Sequence, residues 1–226
     1  MGASSGAWGL AIVPLFVLVL IIVLVVVFTR RSLPDGTALL TPRRLVEGYV
    51  YTVLLVTMLL VSSGLGDLVK AGIARRYGVE SSYRPQPVYN DTHKEGESPK
   101  YEYDAKALRR DVFSGSAYLG VGLLVGMLHL LGLRRLARTE AAVASPVYRL
   151  FLIFGLVIYT VAVLTYAVGS VKDILLFRYV PSPPARDWYE RPVPGEQVAG
   201  LVAFLPFWGV LVGRLFRLAR PHAVPS

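Results

Sequence analysis

Leu10 to Thr29 is a run of 20 residues without one charged side chain. At about 1.5 Å of rise per residue, a helix of that length covers a hydrocarbon core of roughly 30 Å. Backbone that crosses lipid must satisfy its own hydrogen bonds, which favours helices. The rest of the chain repeats the pattern. Apolar stretches lie at about 47–67, 114–133, 149–171 and 198–216, each ending at charged or turn-forming residues. The expectation is an all-α, polytopic transmembrane helix bundle with five spans. The composition agrees, with 54% hydrophobic residues gathered in blocks rather than spread periodically.

The first run does not read as a cleaved leader. Residues 1–9 carry no Lys or Arg, and Thr29-Arg30-Arg31 follows the run where a small-residue cleavage site would stand. The apolar core also exceeds the usual length of a leader. Residues 1–29 therefore read as a retained N-terminal membrane anchor.

The charge ledger gives an orientation. Segment 30–45 has Arg30, Arg31, Arg43 and Arg44 against Asp35. Segment 134–149 has Arg134, Arg135, Arg138 and Arg149 against Glu140, and the tail has Arg214, Arg217 and Arg220 with no acid. The intervening loops are balanced, with nine Lys/Arg and eight Asp/Glu over 67–113 and four of each over 172–197. Basic residues near span ends mark the cytoplasmic side. The N-terminus is then outside and the C-terminus cytoplasmic, with the chain integral to the plasma (inner) membrane as a multi-pass protein. The net charge of +9 becomes topology information. Anionic lipid headgroups are its expected partner, and nucleic acid is not.

The second and fourth spans look alike. Arg44-Leu45 matches Arg149-Leu150 and Gly64 matches Gly169, at a constant offset of 105; Asp67 and Asp173 fall within one position of that register. The third and fifth spans end alike, with "RRLAR" at 134–138 answering "FRLAR" at 216–220, an offset of 82. The chain reads as the anchor plus two parallel helix-pair units. The first is 43–138, with a long extracytoplasmic loop at 68–113. The second is 148–220, with a loop at 172–197.

Arg43-Arg44-Leu45 with Tyr49 and Tyr51, then Gly126-Met127-Leu128-His129 ahead of Arg134, form one recurring pattern. Arg149-Leu150-Phe151, then Pro206-Phe207-Trp208 ahead of Arg214, form the second copy, without the histidine. On these residues the chain resembles an uncharacterised bacterial integral-membrane domain family, a domain of unknown function, present here twice over 43–220. The resemblance implies a helical membrane fold and brings no activity with it.

Chemistry-bearing residues are few. There is no cysteine, so disulfides, thiolates and cysteine metal sites are excluded. No nucleophile–base set, phosphate-binding glycine loop or pair of catalytic carboxylates stands out, so neither an enzyme nor a bound cofactor or metal is expected. Asp91, His93, Glu95 and Glu97 could attract a metal, but no second cluster supports them. His129 is the one histidine inside an expected span. It lies five residues before Arg134, near the membrane edge, where it reads as a polar residue able to reach headgroups or a neighbouring carbonyl; a proton relay is the sharper alternative. Gly122 and Gly126, like Gly209 and Gly213, have the four-residue spacing that lets another backbone approach closely. Pro206 could kink the fifth span. Asp67 and Lys70 share a helix face and read as interfacial pairing.

The outside loops are rich in aromatics. Tyr83, Tyr89, Tyr101 and Tyr103 in the first, and Trp188 and Tyr189 in the second, form the expected partner surface. Asp104 to Val112 reads as a short surface helix. The functional expectation is a non-catalytic membrane subunit or scaffold, joined to other membrane subunits or to copies of itself. The alternative is a small transporter or channel with its path between the two units.

Overall fold

The computed structural model describes residues 42–88, 100–137, 146–179 and 192–219. The expected anchor at 10–29 lies outside the described residues. By its internal contacts the chain forms two compact units, Met1–Gly48 and Tyr49–Ser226. Of the first, only the opening turns of one helix fall among the described residues.

Four long helices make up the described chain: α1 (Pro42–Tyr77), α2 (Ala105–Ala137), α3 (Pro146–Tyr179) and α4 (Pro194–Ala219). All four are long and apolar enough to cross a membrane. Between α1 and α2 lie a single 3-10 turn (Val79–Ser81) and a short antiparallel pair, β1 (Gln86–Val88) and β2 (Lys100–Glu102). Gln86 faces Glu102 and Val88 faces Lys100 across that pair. The described residues are therefore helical apart from this one short strand pair, which the all-α expectation did not include.

The helix boundaries follow local chemistry. Pro42, Pro146 and Pro194 each open a helix, where the missing N–H costs nothing and φ is already set. Arg75 and Arg76 in the last turn of α1, and Arg134 and Arg135 near the end of α2, complement the negative helix end. Gly78 stops α1 at φ 96°, a conformation that side chains disfavour.

The helices run well past the lengths expected for the spans. α1 has 36 residues, α2 33 and α3 34, against about 20 needed to cross. The stretch expected as a separate surface helix at 104–112 is the first part of α2. Asp104 caps it, accepting a 2.8 Å bond from the Lys106 N–H through Oδ1, and no Pro interrupts the run from Ala105 to Ala137.

Within the unit Tyr49–Ser226 the helices alternate in direction. Val50, Tyr51 and Leu54, near the start of α1, form a buried patch. Leu133 from the end of α2 and Val147, Tyr148 and Phe151 from the start of α3 pack on it. At the opposite end the start of α4 meets the segment after α1. A Cβ at Gly195 would lie 2.8 Å from the Ser81 carbonyl oxygen and 3.1 Å from Ile73.

The two helix pairs cross at corresponding positions. α1 and α2 meet at Gly64 and Gly115, where a Cβ on Gly64 would sit 2.6 Å from the Gly115 carbonyl oxygen. α3 and α4 meet at Gly169 and Gln197, where a Cβ on Gly169 would sit 2.9 Å from Gln197 Cδ. Gly64 plus 105 is Gly169, and Gly115 plus 82 is Gln197. The next contact along behaves the same way. Val61 lies against Gly122, and its counterpart Tyr166 lies against Phe204, the counterpart of Gly122, with ring centroids 5.5 Å apart. Where the first pair uses glycine to bring backbones together, the second fills the space with aromatic rings.

Candidate functional site

α1, α3 and α4 share a buried seam. Gly155 on α3 makes room for Leu211 of α4 and Leu55 of α1, which a Cβ there would meet at 3.3 and 3.6 Å. One turn along α3, Tyr159 is fully buried. Its ring lies 5.4 Å from Phe204 and 5.9 Å from Phe207. Its hydroxyl shares a 3.0 Å hydrogen bond with Ser62 of α1, also fully buried. Beside it the Trp208 indole N–H donates to Thr160 Oγ1 at 2.9 Å. These two bonds tie α1 to α3 and α3 to α4 in a region where any unpaired polar group is costly. Phe204, Phe207 and Leu211 of α4 pack along the same stretch of α3.

A second polar cluster joins α1 to α2 near the end where α1 stops. Lys70 Nζ pairs with Asp111 Oδ2 at 3.1 Å, with 21% and 13% of the two side chains exposed. The same ammonium lies 4.6 Å from the centre of the Tyr83 ring, within cation–π range. Ser114 donates to Asp67 Oδ2 at 3.1 Å. The sequence had put Asp67 and Lys70 on one face; the structure turns each toward a partner on α2. Asp111 and Ser114 went unnoticed in the sequence. Their signal was there, because Ser114 opens the expected third span and Asp111 stands one turn before it.

Tyr83 is a correction. Expected on a partner surface, it is buried with Ala74 and Ala107, and Tyr103 packs half-buried against them. The turn Val79–Ser81 causes this. The Tyr83 N–H bonds back to the Val79 carbonyl at 2.9 Å, folding the ring under α2 rather than outward. Burial first, and then the charge on Asp111, push the Tyr83 phenol above its ordinary pKa. Of the remaining aromatics, Tyr101 contributes its backbone to β2, while Tyr89, Trp188 and Tyr189 lie outside the described residues. So do Asp91, His93, Glu95 and Glu97.

His129 is half-buried on α2. Its Nδ1 lies 2.8 Å from the Val125 carbonyl oxygen, one turn back on its own helix. A carbonyl only accepts, so Nδ1 carries a proton and donates it. The ring tilts against Tyr49 at 5.7 Å. No group of three or more metal-binding side chains occurs among the described residues.

The two glycine pairs differ sharply. Gly122 and Gly126 face α1, where Cβ atoms would meet Val61 Cγ2 at 2.7 Å and Thr57 Oγ1 at 3.3 Å. Gly209 and Gly213 meet no described atom within 4 Å. They lie on an exposed face of α4 with Val202, Leu205, Pro206 and Phe216. Pro206 stands within α4 and withholds an N–H from the Val202 carbonyl one turn earlier.

No protein-family model matches the chain, and neither a curated protein nor a solved structure matches it.

Proposed function

We propose that this protein is a non-catalytic integral-membrane subunit or scaffold that packs into a larger membrane assembly. The observation that carries the reading is the unequal filling of the two glycine pairs. One is used up inside the chain, and the other, on α4 beside Pro206, meets none of the described residues. Glycines four apart on a lipid-facing helix suit the close approach of another helix. The filled seam around Tyr159 favours this reading over a transporter with its path between the helix pairs.

The proposal includes a fifth span at 10–29 and residence in the plasma membrane, with the N-terminus outside and the C-terminus cytoplasmic. Arg134, Arg135, Arg149, Arg214 and Arg217 support that orientation, because all belong to the end where α1 and α3 start and α2 and α4 stop. It also includes descent of the two helix pairs from one ancestral pair, akin to the membrane domain that 43–220 resembles. The corresponding crossings at Gly64–Gly115 and Gly169–Gln197 support that part.

The test is a mild-detergent native gel of the untagged protein from its own membranes, with mass spectrometry of the band. A band far above 24.8 kDa holding other membrane proteins is expected. Gly209→Ile with Gly213→Ile is expected to release the free chain. A band holding only this chain overturns the subunit reading and makes liposome flux the next assay.

A further inference from the structure

We propose that the rim where α2 stops and α3 starts is a binding site for the headgroup of an anionic phospholipid. Leu133 of α2 and Val147 and Tyr148 of α3 stand on the same buried patch of α1. That shared footing puts the residues that follow them, Arg134 and Arg135 on α2 and Arg149 on α3, at one end of the bundle. All three are exposed. Among the described residues no carboxylate pairs with them.

No acid lies close along either helix. The nearest are Asp111 on α2 and Asp173 on α3, each about 35 Å away by helix rise. The three exposed arginines therefore meet no acid on their own helices, and Glu47, one turn before that patch on α1, is buried. Guanidinium groups match phosphate oxygens in a two-pronged geometry that an ammonium lacks. A choline headgroup adds a cation of its own to this rim, whereas phosphatidylglycerol brings only its phosphate charge.

The apolar surface continues from the arginines. Met127, Leu130 and Leu131 on α2, and Ile153 and Val157 on α3, are exposed. Acyl chains attached to a headgroup at the rim would lie along these side chains. The opposite end of the bundle lacks this character. Arg75 and Arg76 are exposed there, but Glu80, Asp104, Asp111 and Glu196 share that end.

The site is on helices other than the one bearing the open glycine face, so lipid binding and assembly fail separately. The experiment places the full chain in nanodiscs of equal phosphatidylglycerol and phosphatidylcholine and reads the retained lipid by native mass spectrometry. Retention of phosphatidylglycerol is expected to exceed that of phosphatidylcholine by about a hundredfold at low salt, given three basic groups near the surface, and to fall as salt rises. Arg134→Gln, Arg135→Gln and Arg149→Gln together should abolish the preference, and Arg75→Gln with Arg76→Gln should leave it. If the triple variant does not fold, Arg149→Gln alone against Arg75→Gln makes the same comparison. Equal retention of the two lipids by the unaltered protein, or equal loss in the two sets of variants, overturns the proposal.

Discussion

Lys70 and Asp111 show why a pair must be judged by both its members. Replacing Lys70 by Met leaves the Asp111 carboxylate, largely buried, without its counter-charge. The expected cost is about 2–3 kcal/mol, below the full value for a dry ion pair because Lys70 keeps some exposure. Lys70→Met with Asp111→Leu should recover most of it, and thermal unfolding in detergent measures both. Tyr83 adds a pH dependence. Its phenol is held protonated in the folded chain above its ordinary value, so the unfolded chain loses that proton first. The contribution is complete below an unfolded pKa of about 10 and is lost as pH rises beyond it. Stability should fall above that pH, and less so in Tyr83→Phe. At the seam, Ser62→Ala orphans the Tyr159 hydroxyl and should cost about 1–2 kcal/mol. Ser62→Ala with Tyr159→Phe should cost less than the two single changes added together.

At the scale of the helix, glycines divide by what faces them. Gly64 and Gly115 touch backbone to backbone, so a side chain at either must push α1 and α2 apart. Gly64→Val should destabilise by about 1–3 kcal/mol or more. Gly120, on the same helix as Gly115, meets nothing within 4 Å, and Gly120→Ala should be neutral or stabilising by up to about 1 kcal/mol. The sequence singled out Gly122 and Gly126 by their four-residue spacing. It did not single out Gly115, because a partner seven residues away forms no short motif. Gly64 was noticed only as half of a repeat match, and its role as a crossing point depends on α2, which is distant in the chain.

At the scale of the molecule, the two helix pairs carry different loads. The first crosses through glycines and a charged clamp, and the second through Tyr166, Phe204 and Trp208. His129 sits on the first pair with its Nδ1 proton bound to its own helix. His129→Leu should leave the native-gel band and the stability nearly unchanged. A pH-dependent activity that vanishes in this variant would overturn the assignment of His129 as a polar residue at the edge of a packing helix.

Four of the five expected apolar stretches, their approximate centres and the clustering of arginines at one end were legible in the sequence, because helices long and apolar enough to cross lipid must be long and nearly uncharged. That requirement acts on each residue separately, so composition alone records it. The helix ends were less legible. Asp104 caps a helix that continues without a break through the third apolar stretch, and polarity had marked its first turns as a separate surface helix. Only the tertiary structure decided that Tyr83 is buried, that Asp111 rather than Asp67 holds Lys70, and that one glycine pair is filled while the other meets none of the described residues. Those outcomes depend on which faces of distant segments meet. Spacing within one helix shows that a face exists, but its partner is chosen by packing across the bundle.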